Sequence, residues 1–306
     1  MARPTVGPWL FSDRRIGSRP PSILRDWRLW FVAPAVLALA LVVLFPSGYL
    51  IWMSLMHWVV TDPDITFAGA DNFAAMLGSA DFWSAAQVTL AYLVLSTALM
   101  IVLALGLALT LSGTRSTGAL RALVVMPLII PPVVVGFTWR FLLNGEMGFL
   151  GAFLFPMAGI RISMLADPVG ALFSVVIADV WSRTPFMFLI FLAALQSIPK
   201  EYYEAARSDG ASVWQEFLLI TLPLIKGALV LGILFRVIDA INTFELIYVM
   251  TKGGPGRATQ TLSILGWKTA FQGFDLGGSA ALGVIMLIVT MVVAMAMFRR
   301  FLRVKA

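Results

Sequence analysis

Residues 195–226 read LQSIPKEYYEAARSDGASVWQEFLLITLPLIK, a polar interruption between two long apolar blocks. Their pattern is that of two short helices. Pro199 stands in the first turn with Glu201 behind it, where a fixed φ and a negative charge both suit the positive end of a helix. The segment runs through Tyr202, Tyr203 and Ala206 to Asp209, and Gly210 supplies the permissive backbone for a sharp stop. Ser212 and Gln215 form an S-x-x-Q capping box that restarts a helix. Pro223 is expected to end it as the apolar pattern resumes.

The blocks on either side set the fold class. Of the 306 residues 60% are hydrophobic and 12% charged, and the mean hydropathy is +0.91; soluble domains run near 45–50% apolar and about 25% charged. A water-soluble enzyme is therefore excluded. A helix of about 20 apolar residues crosses a hydrocarbon core of about 30 Å, and six stretches qualify: 29–56, 84–112, 120–143, 169–195, 227–250 and 279–301. The expected fold is all-α, a polytopic membrane protein with six transmembrane helices and a cytoplasmic helix pair at 196–226. The other inner connection, 113–119, is under ten residues, and a long connection in a compact domain usually has a task.

The net charge of +6, from 22 Lys+Arg against 16 Asp+Glu, is topological rather than a nucleic-acid footprint. Basic residues concentrate on the cytoplasmic side of membrane proteins. With the N-terminus inside, 15 of the 22 fall in cytoplasmic pieces. They comprise six arginines before residue 29, then Arg115, Arg121, Lys200, Arg207, Lys226, Arg299, Arg300, Arg303 and Lys305. Residues 1–28 read as a cytoplasmic tail and 29–306 as the membrane domain, with both termini cytoplasmic and lipid around the spans. The apolar run after the tail is too long for a signal peptide. There is no cysteine, so disulfides and thiolate zinc sites are excluded, and a lone histidine, His57, cannot build a histidine metal cluster. His57 reads as interfacial.

Prolines interrupt several spans: Pro34 and Pro46 in the first, Pro127, Pro131 and Pro132 in the third, Pro185 in the fourth. Such breaks survive in a bilayer where neighbouring protein or a wet cavity satisfies the freed carbonyls. They serve either as kinks for packing or as the lining of a gated path. Short interfacial helices are expected near 72–77 and 148–155.

Glu204-Ala205-Ala206, Gly210, Ile220 and Leu222-Pro223 carry a resemblance. With their spacing intact, they match the Glu-Ala-Ala, three residues, Gly, nine residues, Ile-x-Leu-Pro motif of the permease subunits of binding-protein-dependent ABC importers. The wider loop and the later string NTFELIYVMTKGGPG, residues 242–256, resemble the carbohydrate branch, including maltose and glycerol-phosphate permeases. The resemblance covers roughly residues 30–302. It implies a non-catalytic membrane subunit whose partners are a second permease subunit, a cytoplasmic ATPase dimer and an extracytoplasmic solute-binding protein. In such a subunit Glu204 contacts a basic residue in a groove on the ATPase, Ala205 and Ala206 permit close approach, and Asp209-Gly210 makes the turn. ATP and magnesium then belong to the partner, and the location is the bacterial inner membrane.

The residues agree that no nucleotide site lies in this chain, because a P-loop needs G-x-x-x-x-G-K-[ST]. In the nearest string, Gly253-Gly254-Pro255-Gly256-Arg257, Pro255 removes an amide donor. That string reads either as a turn or as a contact for a docking binding protein. An ion-coupled secondary transporter is the alternative class; it typically shows an internal repeat, and the two halves do not match convincingly.

Charges at the bilayer centre cost about 2.5–3.5 kcal/mol each, so they face protein or water. In the fifth stretch Arg236, Asp239, Asn242 and Glu245 recur at steps of three, forming a slanting ridge. At 1.5 Å per residue Asp239 reaches the midplane. The fourth stretch brings Asp179, Trp181 and Arg183 to similar depth, and the third adds Trp139 and Arg140. Together they form either structural ion pairs or the wall of a solute path. Aromatic faces and hydrogen-bonding groups suit a sugar, and three arginines would suit a phosphorylated or sulfonated one.

Overall fold

The structure, a computed structural model, describes residues 27–113, 118–157, 159 and 164–305. The expected tail before residue 27, together with Arg115, lies outside the described residues. The chain falls into two compact units, Met1–Tyr49 and Leu50–Ala306.

The first unit holds α1 (Trp27–Leu39), a π-type turn (Ala40–Leu44) and the start of α2 (Phe45–Ser54). Pro46 lacks the amide that would bond one turn back, and the wider turn just before it relieves the clash its ring would make. Trp30, Phe31, Leu37 and Leu44 face outward.

In the second unit a two-stranded ribbon, β1 (Met56–His57) with β2 (Thr66–Phe67), precedes α3 (Asp71–Gly78). Asn72 donates to the Ser54 and Met56 carbonyls at 2.9 and 2.8 Å, satisfying the end of α2. The long α4 (Ala80–Ser112) starts at Ser79, whose hydroxyl accepts from the Phe82 amide at 3.1 Å. Then come α5 (Gly118–Val125), a 3₁₀ turn (Met126–Ile129), α6 (Pro132–Leu142), a π-type turn (Phe149–Leu154) and α7 (Phe155–Met157). Asp167 caps and Pro168 opens α8 (Pro168–Gln196), with the Gly170 amide 2.7 Å from the Asp167 carboxylate. The chain continues through α9 (Lys200–Ser208), α10 (Val213–Glu216), a π-type turn (Phe217–Thr221), α11 (Leu222–Leu224), α12 (Lys226–Asn242), α13 (Glu245–Thr251), α14 (Leu262–Phe271) and α15 (Leu276–Lys305).

The core lies between α4 and α8. Ala85, Thr89, Tyr92, Ser96, Met100, Ala104 and Ala108 make one buried stripe along α4; Tyr92, Met100, Ala104 and Ala108 share a core with Met187, Phe188, Phe191 and Leu195 of α8, and Ala85 packs with Leu265 of α14 and Leu282 of α15. Small residues in such a stripe let helix backbones approach in a membrane, where burial against lipid offers little drive. The opposite side of α4, with Leu90, Val94 and Val102, faces outward.

Among the described residues four helices are individually long and apolar enough to cross a membrane, and two bent pairs raise the number to as many as six if each pair is one span. The third expected span bends by 97° between Ile129 and Pro132. A residue before proline is pushed out of the helical region, and Ile130 is extended at ψ 125°. The fifth expected span, 227–250, is not continuous. Helix α12 stops at Asn242, Thr243 is extended at ψ 119°, and a new helix starts at Glu245. The Asn242 amide and Thr243 hydroxyl bond back to the Ile238 and Asp239 carbonyls, the local competition that ends helices. Ser263 of α14 donates to the Ile241 carbonyl at 3.0 Å. Pro223 does not end its helix either. The π-type turn before it accommodates the ring, and the 64° bend falls at Ile225, φ −88°, ψ 2°.

Candidate functional site

Two constellations concentrate charge, and one of them stands where the apolar composition makes charge expensive. The first joins α4, α8 and α12. Arg236 of α12 is 2% exposed and Asp179 of α8 is fully buried. One Arg236 nitrogen lies 2.6 Å from both the Asp179 carboxylate and the Ser96 hydroxyl of α4. The other donates to Asp239 at 3.1 Å, and the guanidinium sits 5.5 Å from the Tyr92 ring centre. The second oxygen of Asp239 pairs with Arg183 at 3.1 Å. Two cations and two anions thus alternate, as buried charge requires.

Exposure divides this network. Arg183 and Asp239 are 32% and 35% exposed, and with Arg236 they edge a cavity of about 260 Å³ between α8 and α12. Phe186 and Phe235, edge to face at 5.7 Å, supply its aromatic wall. Gly232 keeps α12 close to α8, since a side chain there would meet the Phe191 ring at 3.3 Å.

The structure therefore gathers Asp179, Arg183, Arg236 and Asp239. Trp139 and Trp181 meet edge to face at 6.1 Å outside the cavity wall. Asn242 turns its amide into its own helix at 2.7 Å. Glu245 is exposed and begins α13, so the helix break removes it from the expected ridge. Arg140 donates to the Val249 carbonyl at 3.0 Å. Sequence reasoning missed Tyr92, Ser96, Phe186 and Phe235; the signal for the first two was polar groups one turn apart in an apolar helix.

The second constellation is the helix pair at 200–224. Helix α9 lies between its caps Pro199 and Asp209, and Gly210 adopts φ +80°, a conformation natural to glycine. Its amide bonds to the Arg207 carbonyl and that of Ala211 to Ala206. The capping box forms in both directions: the Ser212 amide to Gln215 at 2.7 Å, and the Gln215 amide to Ser212 at 3.4 Å. Arg207 grips Glu216 with two bonds, 2.8 and 3.2 Å, holding the Glu216 carboxyl below its ordinary value of 4.5. The Tyr203 and Thr221 hydroxyls meet at 3.0 Å. Glu204 and Ala205 are exposed, Ala206, Ile220 and Leu222 half-buried, and Asp209 and Pro223 exposed. A cavity of about 740 Å³ separates the pair from the ends of α4 and α8.

The glycine-rich string after α13 folds on itself. Lys252, Gly253 and Gly256 take positive φ, the Thr259 hydroxyl donates to the Gly254 carbonyl at 2.8 Å, and Lys268 donates to Gln260 at 2.7 Å. Arg257 pairs with Asp81 at the start of α4.

Residues 100–303 match the family described as "Binding-protein-dependent transport system inner membrane component". The chain belongs to this permease family. It is 37% identical over 247 residues to the trehalose/maltose transport system permease protein MalF of Thermococcus litoralis, covering 80% of this chain and 82% of that one. It is 36% identical over 288 residues to the trehalose transport system permease protein SugA of Mycobacterium tuberculosis, covering 93% and 92%. A crystal structure of a bacterial ABC transporter involved in importing the acidic polysaccharide alginate shares the fold. Its TM-score is 0.79 at 24% identity, covering 93% of this chain and 98% of that one. Family membership makes this chain a multi-pass membrane transport subunit and sets aside the ion-coupled carrier.

Proposed function

We propose that this permease is one half of a transmembrane pair that imports a sugar across the bacterial inner membrane by alternating access. ATP and magnesium act on a partner ATPase dimer, and an extracytoplasmic binding protein delivers the solute. The N- and C-terminal ends are cytoplasmic, residues before 29 form a tail, and 29–306 form the membrane domain with its coupling loop at 196–226. Glu204 is the acidic contact with the ATPase, Ala205 and Ala206 admit the groove wall, and Asp209-Gly210 turns the chain. Ile220 and Leu222-Pro223 join the element to α12, whose other end carries the charge network. ATP-driven movement of α9 and α10 thereby reaches the cavity.

The observation that carries this reading is the complete motif standing as an outward-facing helix pair, with Glu204 exposed. The solute is a neutral sugar: Asp179 and Asp239 balance the two arginines beside the cavity, leaving no excess cation for a phosphate or sulfonate. Phe186 and Phe235 offer faces for C–H groups while Arg183 and Asp239 serve hydroxyls. Asp179 and Arg236 hold that wall in place. The Trp139–Trp181 pair, Asn242 and Glu245 belong to the path rather than to the cavity. Reconstitution with the partners and radiolabelled trehalose tests the reading: uptake depends on internal ATP, whereas uptake driven by an ion gradient without ATP overturns it.

A further inference from the structure

Arg207 follows Glu204 by three residues on α9, so the two side chains share a helix face and could pair. Both guanidinium bonds go instead across the Gly210 turn to Glu216, at 2.8 and 3.2 Å. The partners sit very differently: the Glu216 side chain is 9% exposed and that of Arg207 67%. Stripping the cation from a buried carboxylate costs more than leaving an exposed one to water, and the planar guanidinium fork fits two carboxylate oxygens at once. Lys200, one turn before Glu204, is in the less favourable orientation for a helical pair. Among the described residues Glu204 has no ion pair within 4.0 Å.

We propose that Arg207 is a positioning residue for ATPase coupling: by committing both bonds to Glu216 it leaves the Glu204 carboxylate open, and without Glu216 it turns to Glu204 and masks it. The inference rests on the coupling role of Glu204 proposed above. It explains how a cation one turn from the docking acid acts on it through space without forming a bond to it, and it gives Glu216 a task at a distance from the ATPase. The Tyr203–Thr221 contact ties α9 to the turn after α10 without this ion pair, and the capping box fixes the start of α10 independently of it, so masking and loosening can be told apart.

The experiment uses the assembled importer, purified with its ATPase subunits, and measures ATPase retained after graded salt washes together with ATP hydrolysis. Glu216→Gln is expected to weaken retention about threefold, on the scale of an exposed helical charge pair. Adding Arg207→Gln to it is expected to restore retention, because nothing is left to cover Glu204. A double variant no better than Glu216→Gln would make the pair a structural clip and overturn the proposal. So would unchanged retention in Glu216→Gln while Glu204→Lys releases the ATPase. Wild-type retention in Glu204→Lys would instead sink the coupling reading itself. If Glu216→Gln does not assemble, Glu216→Asp breaks the two-bond geometry and should weaken retention in the same direction; no change there overturns the proposal equally.

Discussion

Arg236 meets Asp179 at 2.6 Å, and the two side chains are 2% and 0% exposed. Breaking a buried pair by removing one partner leaves a stranded charge, which costs about 3–5 kcal/mol, whereas replacing both with apolar groups is often close to neutral. Asp179→Leu and Arg236→Met should each lower stability by about that amount, and the double variant by much less than their sum. Denaturant unfolding of the detergent-solubilised protein measures the cycle; additive losses would show that the pair does not act as a unit.

Arg183 and Asp239 form the outward half of the same network and should behave differently. Their pair is about one-third exposed on each side, so Arg183→Gln should change stability by less than about 1 kcal/mol. Transport should suffer more. Losing a charge-assisted bond of about 1.5 kcal/mol raises the solute concentration for half-maximal uptake about tenfold. Normal uptake in Arg183→Gln and in Asp239→Asn would remove this pair from the solute site.

Gly210 sits at φ +80° with open space where a Cβ would stand. Gly210→Ala therefore carries only the backbone penalty, about 1–2 kcal/mol, and should soften the helix pair without steric damage. Proline needs φ near −65° and should abolish ATP-driven uptake. A Gly210→Pro permease that transported at the normal rate would show that this turn is dispensable.

Glu216 supplies a pH dependence whose sign follows from its partner. Arg207 holds the folded-state carboxyl below its ordinary value of 4.5, so the stabilisation is present above that value and is lost as pH falls through the lower folded value. Wild-type protein should lose its advantage over Glu216→Gln as pH drops below about 4.5. Thermal unfolding of both at pH 7 and in this acid range tests it; a constant gap would assign the stabilisation to something other than ionisation.

The sequence alone determined the class and the helix pair. Apolar length marks a spanning helix whatever surrounds it, and capping chemistry is local, so Ser212, Gln215 and Gly210 do in the structure what their spacing predicts. The relation of the helices was not legible. Helix α4 is apolar on every side, and only packing against α8, and against α14 and α15 at its start, selects the stripe from Ala85 to Ala108 as its buried face. The ridge of Arg236, Asp239, Asn242 and Glu245 looked continuous because residue spacing says nothing about where Thr243 leaves the helix. Pro223 looked like a terminator because the π-type turn that absorbs it leaves no mark in composition. The choice between lone charges and a balanced network also belonged to the tertiary structure. Residues 57 apart in the chain share a bond at 2.6 Å, and in a low-dielectric interior that contact decides whether the charge can be there at all.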